Sequence, residues 1–240
     1  MPLPDTRTAR QAILRSLRGS MPAQPLPVPS LQPYLEGPYG RGCLGDRPDP
    51  ATLIERFEAA ARSWRAEVLH AGPHDWPQAV RDALAQRACT RVALGAGGRL
   101  PAALTPALQG LSLRPFTQVL AGAWKSELFD AVDAGVTDTL AGVADTGTLV
   151  LRPGPDEPRT LSLVPPVHVA VLRASTLYAG LPAAMRALSP QADMPTNLLL
   201  ITGPSKTADI QQTLAYGAHG PKALVIVLVH DLPADAGARP

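Results

Sequence analysis

Residues 197–229 read NLLLITGPSKTADIQQTLAYGAHGPKALVIVLV. Leu198–Ile201 is an unbroken apolar run, Thr202–Thr207 is a turn-forming TGPSKT, and a second apolar run closes the stretch from Leu224 to Val229. Between them, Ile210, Leu214 and Tyr216 suit a helix, so the expectation is strand, loop, helix, strand. Runs apolar on both faces and joined through a helix are typical of parallel strands in a covered sheet. The fold class expected is therefore α/β, with the TGPSKT loop at a strand's carboxyl end, where sites of open α/β sheets gather.

In that setting Ser205 or Thr207 would cap the helix, and the first turn would favour a carboxylate or phosphate. Lys206 would add a full charge at a turn, in a chain whose 22 basic residues include only three lysines, Lys125, Lys206 and Lys222. The same residues also fit an ordinary capped helix with a solvent-facing lysine. GPSKT lacks the glycine spacing of a phosphate-wrapping Walker loop.

The 240 residues carry a net charge of +2 and 4% aromatics, which supports neither groove binding nor a stacking platform for nucleic acid. Cys43 and Cys89 are too few for a disulfide framework or for an iron–sulfur cluster, which takes about four thiolates. No apolar run reaches the roughly 20 residues of a membrane span, and the expected location is the cytoplasm. Thr6–Arg18 is Arg-rich with Ile13, Leu14 and Leu17 on one face; Asp5 as N-cap and Gly19 as stop make it a short docking helix rather than a transit peptide. Ten of 27 prolines lie in the first fifty residues, so residues 21–50 form an extended arm over the domain or toward a neighbouring subunit. The domain boundaries expected are a helix and arm over 1–50, one α/β domain over 51–230 and a tail over 231–240.

Asp49-Pro50 starts a helix with Leu53, Phe57, Ala60, Trp64 and Val68 on its inner face, and a second helix spans Asp75–Ala88. Arg91–Leu94 reads as a strand ending in Gly95–Gly98, whose spacing fails the dinucleotide fingerprint. A helix is expected over Trp124–Val132. Residues 133–155, DAGVTDTLAGVADTGTLVLRPGP, hold Asp133, Asp138 and Asp145 among small residues, with Thr146-Gly147-Thr148 turning into a strand through Leu151. These carboxylates could bind a metal, act as acid and base, or cap turns. His70 and His74 lack a third ligand, so no metal site is expected. Leu161–Val164 and Val167–Leu172 read as strands, with His168 a core residue, and Ser175 or Thr176 would cap a helix through Leu188.

GVTDTLAGVADTGTLVL, LVPPVHVAVL and ITGPSKTADIQQTLAYGAHGP together resemble the lactate-utilisation protein C family, the LUD domain, over most of residues 51–230. The resemblance implies a three-layer αβα fold with a mainly parallel sheet, like that of the ribose-5-phosphate isomerase, glucosamine-6-phosphate deaminase and CoA-transferase group. It implies a role in oxidising L-lactate to pyruvate beside partner subunits that carry iron–sulfur clusters, with no cofactor on this chain. The chain departs from the family pattern at two places: Asp145 stands where Glu is common, and Gln211 and Gln212 stand where an acidic residue follows the TADI motif.

The residues singled out are Asp138 and Asp145 as catalytic carboxylates, with Thr146, Gly147, Thr148, Gly203, Pro204, Ser205, Lys206, Thr207 and Asp209 around an anionic metabolite or nucleotide-like ligand. A helix from Thr207 to Tyr216, rising roughly 1.5 Å per residue, would put His219-Gly220-Pro221 about 15 Å from GPSKT. His219 and Gly220 would then be turn residues or part of an interface in a homo-oligomer. Three functions fit: an accessory subunit of a lactate-oxidising system, an independent isomerase or transferase, or a structural partner of iron–sulfur proteins.

Overall fold

The computed structural model describes residues 7–20, 30, 48–97, 99–116, 130–188, 195, 197–208, 214–216 and 219–232. Most of the arm, the expected helix over 124–132 before Asp130, and Asp209 lie outside these residues. Helix α1 spans Arg7–Ser20, and Ile13 and Leu17 on it are 61% and 56% exposed. Asp49 caps α2 (Pro50–Ser63), accepting from the Thr52 N–H, and α2 buries Leu53, Phe57 and Ala61. The chain then turns at Arg65, φ 65°, so Val68 belongs to strand β1 (Glu67–Ala71) and not to the helix expected to include it.

The remaining order is α3 (Trp76–Ala85), β2 (Arg91–Gly95), α4 (Leu100–Ala107), β3 (Ser112–Phe116), β4 (Ala134–Asp138), β5 (Ala141–Val143), β6 (Thr148–Leu151) and α5 (Thr160–Leu163). It continues with β7 (Val167–Arg173), β8 (Leu177–Tyr178), α6 (Leu181–Ala187), β9 (Leu199–Ile201), β10 (Lys206–Ala208), β11 (Leu214–Tyr216) and β12 (Ala223–Val229). Six strands form one wholly parallel sheet in the order β1-β12-β7-β4-β2-β3. Burial on both faces explains why β7 and β12 read as near-continuous apolar runs. One face packs Val169, Val171, Val225 and Val227 against α3 and α4. The other packs Ala170, Leu172, Ile226 and Leu228 against α2 and a second sheet, β8-β5-β6-β9.

The α/β architecture is as expected, but the stretch that suggested it folds differently. β9 lies in the second sheet, antiparallel to β6, and is not a parallel strand of the main sheet. The helix expected from Thr207 is instead the antiparallel pair β10 and β11, with Lys206 opposite Tyr216. The helical cap and helix-end charge at Ser205–Thr207 therefore do not exist. Leu161–Val164 is a helical turn rather than a strand, because Pro158 O and Thr160 O accept from Leu161 N–H and Val164 N–H. The helix expected from Ser175 starts only at Leu181, after Thr176 Oγ1 closes a tight turn onto Arg173 O and β8 intervenes.

Candidate functional site

Adjacent strands β2 and β4 send the chain away on opposite faces. After β2 it enters α4 on one side and returns as β3; after β4 it enters the second sheet on the other side and returns as β7. Such a divergence opens a crevice beyond the strands' carboxyl ends, the usual ligand position in open α/β sheets. A cleft of about 470 Å³ lies there, lined among others by Arg99, Asp138, Arg152, Glu157 and Arg173. Asp138, the last residue of β4, accepts from the Thr139 N–H at 3.1 Å and from Arg173 Nη1 at 2.8 Å. Arg99 Nη2 stands 3.8 Å from the other Asp138 oxygen, beyond hydrogen-bond length, and its side chain is 74% exposed at the rim.

Sequence reading missed Arg99, Arg173 and, above all, Glu157. Burial, and secondarily the Asp138 charge, raise its carboxyl to about 7, against a smaller opposing effect of a hydrogen bond from the Asp138 backbone. Its loop is held in place by glycines. The Ala96 N–H donates to Asp156 O at 2.8 Å, and a Cβ on Gly95 would come within 2.7 Å of that oxygen. Gly95 and Gly97 thus serve a close approach of two loops. The only signal in the sequence was an acidic pair, Asp156-Glu157, bracketed by prolines.

The three carboxylates of residues 133–145 are dispersed. Asp133 lies before β4 at the opposite edge, where its Oδ2 accepts from the Thr90 and Arg91 N–H groups and its Oδ1 from the Arg91 guanidinium; Arg91 holds the carboxyl down at about 2. Asp145 is exposed in the β5–β6 turn, its N–H donating to Ala179 O, and lines neither cavity described here. Among the described residues no group of His, Cys, Asp or Glu is placed to hold a metal.

The Thr146-Gly147-Thr148 turn meets the Thr202-Gly203 turn through hydroxyls: Thr146 Oγ1 lies 2.7 Å from Thr148 Oγ1, which lies 2.8 Å from Thr202 Oγ1. Both glycines have positive φ, 63° at Gly147 and 74° at Gly203. A Cβ on Gly147 would lie 2.3 Å from Ala61 N, and one on Gly203 would lie 2.4 Å from Trp64 O. These two turns seat the end of α2. Lys206 is exposed on β10 and, like the 146–148 turn, does not line either cavity.

A second cavity, of about 260 Å³, lies at the amino edge of the sheet. Gly203, Pro204 and Ser205 line it together with His219, Gly220 and Pro221, and the Ser205 N–H donates to Pro221 O at 2.9 Å. The separation of about 15 Å expected between these loops is thus overturned: they meet through that bond, and Lys206–Ala208 and Leu214–Tyr216 lie side by side as paired strands. His168 is 1% exposed, the core residue expected, and it also lines this cavity.

A model of the LUD domain matches residues 54–229. The chain belongs to the LUD domain family. This LUD domain is 39% identical over 187 residues to an uncharacterized protein of Neisseria meningitidis serogroup B, covering 76% of this chain and 80% of that one. It is 36% identical over 110 residues to the lactate utilization protein C of an Exiguobacterium species, covering 44% of this chain and 48%, about half, of that relative. The crystal structure of a DUF162 family protein from Deinococcus radiodurans has the same fold, with a TM-score of 0.57 at 24% identity over 75% of this chain and 98% of that chain. In the LUD domain described here no helix is long and apolar enough to cross a membrane, among the described residues.

Proposed function

We propose that this LUD protein serves in L-lactate utilisation as an accessory subunit that holds a small carboxylate, such as L-lactate or pyruvate, in the carboxyl-edge cleft. The observation that carries the reading is an exposed arginine fork, Arg99, facing a pair of carboxyls of which one, Glu157, stays substantially protonated near neutral pH. A 2-hydroxy or 2-oxo acid has a carboxylate beside a hydroxyl or carbonyl. Arg99 pairs with the first through charge-assisted hydrogen bonds, while Glu157 donates to a carbonyl or accepts a hydroxyl proton. Arg173 neutralises Asp138, which keeps the acidic wall from repelling the ligand.

Oxidation of lactate to pyruvate releases two electrons and two protons. With two cysteines in the chain, the iron–sulfur clusters that would accept the electrons are assigned to partner subunits. The test is calorimetric titration with L-lactate, pyruvate and propionate, which lacks the second oxygen. Expected are binding of L-lactate or pyruvate, weaker binding of propionate, and a roughly tenfold or greater loss in Arg99→Ala. No binding, or binding indifferent to Arg99→Ala, would leave a structural partner of iron–sulfur proteins as the remaining role.

An independent isomerase or transferase is favoured by the same Glu157, since proton transfer near neutral pH is what isomerisation requires. Exchange of the bound ligand's carbon-bound proton with D₂O by the isolated chain separates the two: exchange supports the independent enzyme, and its absence supports the accessory subunit.

A further inference from the structure

We propose that the amino-edge cavity is a second ligand site, which takes a small organic anion with its carboxylate or phosphate headgroup at Ser205 and His219 and an apolar body beside them. The two loops that bear these residues are fixed against each other. The Ser205 N–H donates to Pro221 O at 2.9 Å. A Cβ on Gly220 would stand 3.0 Å from Ser205 Cβ and 3.2 Å from its Oγ, so a glycine next to His219 is what lets the serine hydroxyl lie against that loop. Ser205 is half-buried and His219 exposed, and neither the hydroxyl nor the imidazole has a hydrogen-bond partner among the described residues. Other hydroxyls of the lining are committed: Ser162 Oγ donates to Arg159 O at 3.0 Å, and Thr202 Oγ1 pairs with Thr148 Oγ1. Ser205 and His219 are thus the polar side chains left to serve an occupant.

The charge around the cavity selects the occupant. The described segments that supply its lining, 159–169, 197–208 and 219–224, contain no Asp or Glu and carry Arg159, Lys206 and Lys222. Two of the chain's three lysines therefore stand one residue past the two loops, after Ser205 and after Pro221. Asp133 and Glu67, at the same edge of the sheet, are already paired with Arg91 and Arg87. An anion at the mouth thus meets a positive field, while a hydroxyl and an imidazole N–H donate to its oxygens. Leu163 and Leu200, each partly exposed, and buried Leu224 supply an apolar wall for the rest of the molecule. A space of about 260 Å³ holds a single-ring acid. Counted along β7 from His168 to Arg173, this site lies about 17 Å from the carboxyl-edge cleft, so the two sites are distinct.

The test is calorimetric titration of the full chain with benzoate, phenyl phosphate and benzamide, the last an uncharged counterpart of the first. Expected is a dissociation constant of about 1 mM or tighter for benzoate or phenyl phosphate, with benzamide weaker by roughly tenfold or more. The tighter of the two anions names the headgroup. His219→Ala should weaken the anion roughly tenfold and Ser205→Ala severalfold, whereas Arg99→Ala, which disables the other cleft, should leave this affinity unchanged. The double variant Lys206→Gln, Lys222→Gln removes charge outside the cavity wall and should weaken the anions but not benzamide, which keeps the test open should a lining variant fail to fold. Absence of binding by both anions would overturn the proposal and mark the cavity as a water-filled void. Benzamide binding as tightly as benzoate, binding indifferent to both the His219 and the lysine variants, or binding lost in Arg99→Ala would overturn it equally.

Discussion

Gly147 and Gly203 each combine a positive φ with backbone of α2 or of its C-cap Trp64 where a Cβ would stand, whereas Gly110, φ 88°, has nothing within 4 Å of that position. Gly110→Ala should therefore cost only the left-handed conformation, about 1 kcal/mol, while Gly147→Ala and Gly203→Ala add overpacking and should cost about 2–5 kcal/mol. Thermal melts of the three variants check the ordering. Ligand affinity in the cleft should not follow it, because neither turn lines that cleft. Glu157 makes a prediction of its own. Its folded carboxyl, near 7, lies above the ordinary 4.5, so the stability it contributes is fully present below pH 4.5 and is lost as pH rises through 7. The decline should be on the order of 3 kcal/mol, read from urea midpoints across pH 4–8, and Glu157→Gln should flatten it. Asp138 could be singled out in the sequence because it is one of three carboxylates set among small residues. Glu157 could not, because its environment is made by a loop folding back onto Gly95.

At the scale of elements, α2 holds the second sheet to the first. Phe57 is fully buried on it, and a Cβ on Gly142 of β5 would come 3.2 Å from the Phe57 ring. Phe57→Ala should cost about 3–5 kcal/mol, measured as the free energy of unfolding in urea. This helix was legible from the Asp-Pro start and the spacing of Leu53 and Phe57, as were β2, β7 and β12 from their apolar runs. The β10–β11 pair was not. Three-residue strands carry too little alternation to compete with the helical spacing of Leu214 and its neighbours, and their pairing is a backbone event that side-chain pattern does not report. Together with the reading of β9 as a parallel strand of the main sheet, this error moved the TGPSKT loop from the amino edge of the sheet to the carboxyl edge.

For the molecule as a whole, the parallel sheet divides two cavities, one beyond the carboxyl ends at Asp138 and one beside the amino ends at His168. The outer parts contribute unequally. The exposed Ile13 and Leu17 of α1 imply that deleting residues 1–20 should leave the melting temperature within about 2 °C of the full chain. Deleting β12 should be ruinous, since it fills the space between β1 and β7.

The pairing of β1 with β12, Glu67 beside Val225, also sets a timetable for synthesis. A ribosome completes nearly the whole domain before the first strand's neighbour emerges, so α2 and β1 wait without their final partner while the intervening strands form. The last strand to arrive, ALVIVLV, has high β-propensity and no charge, the composition of an aggregating segment. Chains stalled after Lys222 should accumulate on chaperones or in the insoluble fraction, and release of the final strand should be the step that makes the nascent chain resistant to protease.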